Sequence, residues 1–192
     1  MFNFKFSPEV QWHLDFDGTL FHTHTALLAA YETAILEHGG IFTSDAKNAL
    51  VRGESFGQFL SMCLWNSSEP DYFRIRARKN EIYLSNIHLI QPNTKLIEMA
   101  LSLLPNISIV TSSNKFAVVR ILESFNLSNS FVNIVSADDV NKTKPNPEPY
   151  IKSISRAPES IHVAIEDSEL GIIAAKAAGL LVLRTTDIIS GH

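Results

Sequence analysis

Two carboxylates one residue apart, Asp15 and Asp17, follow the apolar run Val10–Leu14 and precede Gly18-Thr19-Leu20. Alternate residues of an extended segment point the same way, so both carboxylates can face one site. Gly18 permits the sharp turn that must come next. Two like charges this close repel unless one is protonated or a cation lies between them. Mg²⁺ suits such a pair, because it prefers hard oxygen ligands and the oxygens of phosphorylated substrates. An Asp-x-Asp alone is weak, since ordinary composition produces one by chance on the order of once in every two chains of this length. Its place at the end of an apolar strand, ahead of a glycine and a helix, gives it weight.

Three other polar clusters occupy comparable places. Ile107–Val110 runs into Thr111-Ser112-Ser113-Asn114, where a hydroxyl and backbone N–H groups at a helix start suit a phosphoryl oxygen. Thr111 is the first polar residue after the strand and fits best, with Ser112 second; a helix cap is the plain alternative. Lys142 and Lys144 lie in the proline-rich segment 141–149. Glu166 and Asp167 end the run His162–Ile165. Adjacent carboxylates there need a cation, unless they are an exposed acid and an N-cap.

The elements positioning these groups follow from periodicity. Val10–Leu14, Ile107–Val110, Asn133–Val135, His162–Ile165 and Leu181–Leu183 read as strands. Amphipathic helices separate the later ones. The first covers 114–125 behind Asn114, with Val118, Val119, Leu122 and Phe125 on one stripe. Pro147 opens the next, through Ile154. The last covers 168–178, with Ser168 as N-cap, Gly179 as stop, and Leu170, Ile173, Ala174 and Ala177 as the buried face. Strands alternating with helices imply α/β architecture, a doubly wound parallel sheet, which binds ligands beyond the carboxyl ends of its strands. Between the first two strands nearly everything reads as helix: 25–38, then 44–51, 55–64, 70–86 and 93–104. One crossover helix would suffice, so most of this stretch is expected to be a separate helical cap at 22–88, the core being 1–21 and 89–192.

Asp15-Phe16-Asp17-Gly18-Thr19-Leu20 resembles the DxDGT[L/V] signature of the haloacid dehalogenase-like hydrolases. The later segments are similar to that family's other signatures: Thr111 to its strand-end Ser/Thr, Lys144-Pro145-Asn146-Pro147 to its KPxPxx(Y/F) segment, and 166–179 to (G/E)DSxxGxxAAxxAG. The resemblance implies a Rossmann-like core with an inserted all-helical cap, and a Mg²⁺-dependent phosphatase. Asp15 would be the nucleophile and Asp17 the general acid and base. Thr111 would hold a phosphoryl oxygen and Lys144 would neutralise charge. Gly18, Thr19, Ser112 and Ser113 would lie about the phosphoryl group. Asp15, Asp17 (through its carbonyl), Asp167 and Glu166 would form the metal site. Arg52-Gly53 resembles a (K/R)-G pair of the cap substrate loop, and cap placement implies a small phosphorylated metabolite, a phosphoglycolate-like acid or a sugar phosphate.

Family phosphatases commonly follow DGTL with x-Asp-Ser, whereas this chain has Phe21-His22-Thr23-His24; His22 and His24 could line the substrate mouth or modulate its pH response. A β-phosphoglucomutase-type mutase is the nearest rival, though such enzymes carry a hinge His about where Leu27 stands. Asp17 argues against dehalogenation, and Lys47 and Lys79 sit in no motif of a phosphonate-cleaving relative. A non-catalytic binding protein on the same scaffold would predict eroded chemistry, yet Asp15, Asp17, Lys144 and Asp167 are all present. Arg74, Arg76, Arg78 and Lys79 read as a solvated helix face, with recognition of an anionic substrate as the alternative.

Composition excludes other classes. The chain has 192 residues, 45% apolar, and net charge −4. It has no basic run, which disfavours nucleic acid. Cys63 is the one cysteine, which excludes an intrachain disulfide. No apolar stretch approaches the roughly 18 residues of a membrane span, and the first ten residues do not read as a secretory leader. The expectation is a soluble cytoplasmic protein, a monomer or weak homodimer, binding neither membrane nor nucleic acid.

Overall fold

Five short apolar segments pair side by side, all parallel, in the order Asn133–Val135, Ile107–Val110, Val10–Leu14, Ile161–Glu166, Leu181–Arg184. The structure is a computed structural model that describes residues 10–54, 56–66, 70–156, 158 and 160–189. Ser55, which opens the expected segment 55–64, and the amino-terminal residues 1–9 lie outside the described residues. The chain forms two compact units, one of residues 1–22 and 92–192 and one of residues 23–91.

The first unit holds the sheet, with Val10–Leu14 at its centre. The register sets Leu14 beside both Ile109 and Ile165. Asp15 therefore leaves the sheet level with Val110 and Glu166. Because every strand runs the same way, all the carboxyl ends lie along one edge, where the polar clusters of the sequence meet. Helices Thr94–Leu103, Lys115–Ser124, Glu148–Ile154 and Glu169–Ala177 connect the strands. Asn93, Asn114 and Ser168 cap three of them, accepting from Leu96, Ala117 and Gly171 backbone N–H groups. Leu14, Phe16, Ile109, Ile121 and Tyr150 are among the fully buried side chains. Each such large apolar side chain contributes about 1.5–3 kcal/mol relative to exposure.

The helix Glu169–Ala177 corrects one expectation. Its buried residues are Gly171, Ile172, Ala174 and Ala175, whereas Ile173 and Ala177 are exposed. Small residues at i, i+3 and i+4 let the helix backbone approach the sheet closely, which outweighs the larger side chains offered by the other stripe. Lys115–Ser124 behaves similarly: Ala117 and Ile121 join Val118 and Leu122 inside, while Val119 and Phe125 are half-buried.

The second unit contains helices His24–Glu37, Ser44–Val51, Phe56–Ser61 and Tyr72–Ser85. It also has a two-residue antiparallel ladder, Gly40–Ile41 with Leu64–Trp65. Its interior is aromatic: Tyr31 meets Phe59 at 4.8 Å between ring centroids, and Phe42 and Phe56 also pack on Phe59. The arginines of the helix face at 74–78 are absorbed locally. Arg78 pairs with Glu37 at 2.6 Å and Glu81 at 3.0 Å, Arg74 with Asp71 at 3.3 Å, and Arg76 lies over the Phe56 ring. Among the described residues, no helix is long and apolar enough to cross a membrane.

Candidate active site

The loop after the first strand closes tightly. Gly18 N–H donates to the Phe21 carbonyl at 2.8 Å, and Phe21 N–H to that of Phe16 at 3.0 Å. Gly18 has φ +86°, and a Cβ built on it would lie 2.1 Å from Asp167 Oδ2. Glycine is thus required twice over, by the backbone angle and by the approach of Asp167. Thr19 is buried, its hydroxyl donating to Asp167 Oδ1 at 3.3 Å, while Asn93 Nδ2 donates to the Thr19 carbonyl at 3.0 Å.

Lys144 places its ammonium at the centre. Nζ donates to Asp15 Oδ1 at 2.6 Å, to the Val110 carbonyl at 2.7 Å and to Glu166 Oε1 at 2.5 Å. Lys142 donates its backbone N–H to Glu148 instead. The Lys144–Pro145 peptide is cis. Glu166 is wholly buried and also accepts from the Tyr150 hydroxyl at 2.5 Å. A Cβ on Gly171 would fall 2.1 Å from the Glu166 carboxylate, so that carboxylate fills the space a side chain would need.

Asp17 is held by two hydroxyls on one oxygen. Ser113 Oγ donates to Oδ2 at 2.7 Å and Thr111 Oγ1 at 3.2 Å, and the Ser113 N–H donates to Thr111 Oγ1 at 3.0 Å. Thr111 is buried and Ser112 exposed.

Oxygens of Asp15, Glu166 and Asp167 lie within 4.8 Å of one another. Lys144 offsets one of these charges. Burial raises the Asp15 pKa well above the carboxylate range; Lys144 opposes this, and Glu166, Asp17 and Asp167 push it further up. Burial disfavours the charge on Lys144, but the carboxylates of Asp15 and Glu166 beside it outweigh this and raise its pKa. A converging all-oxygen donor set with excess negative charge fits a hard divalent cation such as Mg²⁺.

The structure thus gathers Asp15, Asp17, Gly18, Thr19, Thr111, Ser113, Lys144, Glu166 and Asp167 at one edge of the sheet. His22 is exposed at the end of the first unit. Arg52 and Gly53 belong to the second unit, where Arg52 ends a helix and pairs with Glu54 at 2.6 Å. Sequence reasoning assigned no part to Tyr150, although it stands at the aromatic position of the KPxPxx(Y/F) pattern. It also took Ser113 and Thr19 as substrate contacts, without their bonds to Asp17 and Asp167.

Comparison with known proteins agrees with this geometry. Residues 14–184 match the profile of the family described as "Haloacid dehalogenase-like hydrolase". The chain is 28% identical over 178 residues to a phosphoglycolate phosphatase of Pectobacterium atrosepticum, covering 86% of this chain and 75% of the relative. It is 25% identical over 173 residues to a phosphorylated carbohydrates phosphatase of Thermotoga maritima, covering 86% and 80%. Among solved structures, CbbY from Rhodobacter sphaeroides in complex with phosphate superposes with a TM-score of 0.76 at 23% identity, covering 92% of this chain and 85% of that one; at that identity the likeness speaks for the fold. With the match running from the first strand to the last, the chain belongs to the haloacid dehalogenase-like hydrolase family.

Proposed function

We propose that the protein is a Mg²⁺-dependent phosphatase of small phosphorylated metabolites, a phosphoglycolate-like acid or a sugar phosphate, working through an aspartyl-phosphate on Asp15. The observation that carries this reading is Lys144 Nζ bridging Asp15 Oδ1 at 2.6 Å and Glu166 Oε1 at 2.5 Å, beside an Asp17 held by hydroxyls. A carboxylate fixed against an ammonium is oriented for attack, and a second carboxyl nearby can move protons.

An Asp15 oxygen attacks phosphorus as the bond to the ester oxygen breaks. Asp17 gives its proton to that leaving oxygen, so the alcohol departs neutral. Asp17, now a carboxylate, takes a proton from water as the water oxygen attacks phosphorus. The bond to Asp15 breaks, inorganic phosphate leaves and both side chains return to their starting forms. Lys144 stays charged and offsets the negative charge gathering on the phosphoryl oxygens. Asp15, Asp167 and Glu166, with the Asp17 carbonyl, would hold Mg²⁺, which supplies Lewis-acid stabilisation of those oxygens when bound.

On this reading residues 23–91 act as the cap that selects the substrate, with Arg52, Gly53 and the adjoining His22 as candidate contacts. The names of the two curated relatives support the substrate classes. The test is phosphate release from a panel of phosphorylated acids and sugars, with Mg²⁺ and with EDTA. Release that requires the metal supports the reading, and none from any compound sinks it.

A further inference from the structure

Tyr150 is wholly buried, and its ring packs in an apolar cluster with Val110, Val135, Ala164, Ala174, Ala175 and Leu180. Such surroundings leave a phenol hydroxyl one good option, which is to find a single strong partner. It finds Glu166 Oε1 at 2.5 Å, the same oxygen that accepts from Lys144 Nζ at 2.5 Å. The Lys144 ammonium also lies 5.2 Å from the centre of the Tyr150 ring, within cation–π range.

An ammonium has three protons, and here they go to Asp15 Oδ1, the Val110 carbonyl and Glu166 Oε1. Val110 O is fixed by the sheet. Asp15 must move its charge onto phosphorus during the reaction. Glu166 is therefore the acceptor that must keep Lys144 in place while Asp15 is esterified. Glu166 is itself confined, by the Gly171 backbone on one side and by Ser168 Oγ at 3.4 Å from Oε2. The short bond from Tyr150 then settles where Oε1 lies.

We propose that Tyr150 is a positioning residue for the phosphoryl-transfer site, acting through Glu166 to hold Lys144 against Asp15. The inference rests on the phosphatase reading above and adds to it a residue that touches neither substrate nor metal.

The test compares wild type, Tyr150→Phe, Glu166→Gln and the double variant. Turnover is followed on the substrate wild type hydrolyses best, with vanadate binding by calorimetry and thermal melting alongside. Tyr150→Phe keeps the ring and removes one bond to a charged acceptor, so kcat should fall about tenfold while KM changes less than about twofold. Vanadate, which presents the same crowded anionic oxygens, should bind more weakly by a similar factor. In the Glu166→Gln background the further loss from Tyr150→Phe should shrink to less than about twofold, because the hydroxyl acts through that carboxylate.

Full kcat in Tyr150→Phe overturns the proposal, as does an equal loss in both backgrounds or a change confined to KM. Should Tyr150→Phe fail to fold, Glu166→Gln decides alone: unchanged vanadate binding in that variant overturns the proposal. A wild type that hydrolyses nothing in the panel instead overturns the phosphatase reading.

Discussion

The Ser113 hydroxyl donates to Asp17 Oδ2 at 2.7 Å, across 96 positions of sequence. Thr111 Oγ1 reaches the same oxygen at 3.2 Å, so the two hydroxyls fix the plane of the carboxyl that is to move protons. Ser113→Ala should lower kcat by about tenfold, part of the 10²–10⁴ that a placed acid–base group supplies. KM should hardly change. A raised KM with full kcat would make Ser113 a substrate contact instead, as sequence reasoning had it.

Gly171→Ala tests the confinement of Glu166. The new methyl would lie 2.1 Å from the Glu166 carboxylate, so either the helix Glu169–Ala177 or the carboxylate must move. Overpacking of this kind costs about 1–3 kcal/mol. A lower urea midpoint and reduced turnover are expected. Unchanged values for both would show that the site yields freely.

Gly18→Ala acts on the proposed metal site from the other side. Its methyl would meet Asp167 Oδ2 at 2.1 Å, and the φ of +86° disfavours any side chain. The Mg²⁺ concentration for half-maximal activity should rise, and Mg²⁺-induced stabilisation in thermal melts should weaken. Equal stabilisation of wild type and variant would separate Asp167 from metal binding.

His13 carries a pH dependence of stability unrelated to the phosphoryl chemistry. Its ring is buried, bonded to Ser153 Oγ and His162 Nδ1 at 2.8 Å each. Burial, and next His162, lower its pKa from 6.5 to about 3. Between those values the unfolded chain binds more protons than the folded one. Stability is then lost as pH falls below the unfolded value, at a limiting rate of about 1.4 kcal/mol per pH unit. The loss is complete below the folded value. Urea midpoints of wild type should drift downward between pH 7 and pH 4 more than those of His13→Gln. Equal drift in both would assign the effect elsewhere.

The five strands of the parallel sheet and two helix starts were legible because apolar runs, and Asn114 and Ser168 ahead of their helices, are local signals. Asp15, Asp17, Lys144 and Asp167 were legible as a constellation because each follows or lies near a strand end in a recognisable order. The bonds from Ser113 to Asp17 and from Tyr150 to Glu166 join residues 96 and 16 apart, and nothing local announces them. The buried stripe of Glu169–Ala177 was read correctly at Ala174 but not at Ile173 and Ala177, because packing took Gly171, Ile172 and Ala175 instead. The ladder of Gly40–Ile41 with Leu64–Trp65 has two residues per strand, too few for any periodicity to register.

The measurement that bears most directly on the central claim is Mg²⁺-dependent phosphate release by wild type and by Asp15→Asn, with intact-mass detection of a phosphoryl adduct in acid-quenched enzyme. The account predicts release by wild type that EDTA abolishes, an adduct on wild type that maps to Asp15, and neither release nor adduct in Asp15→Asn. Turnover retained by Asp15→Asn would contradict the covalent mechanism, and an adduct on another residue would move the nucleophile.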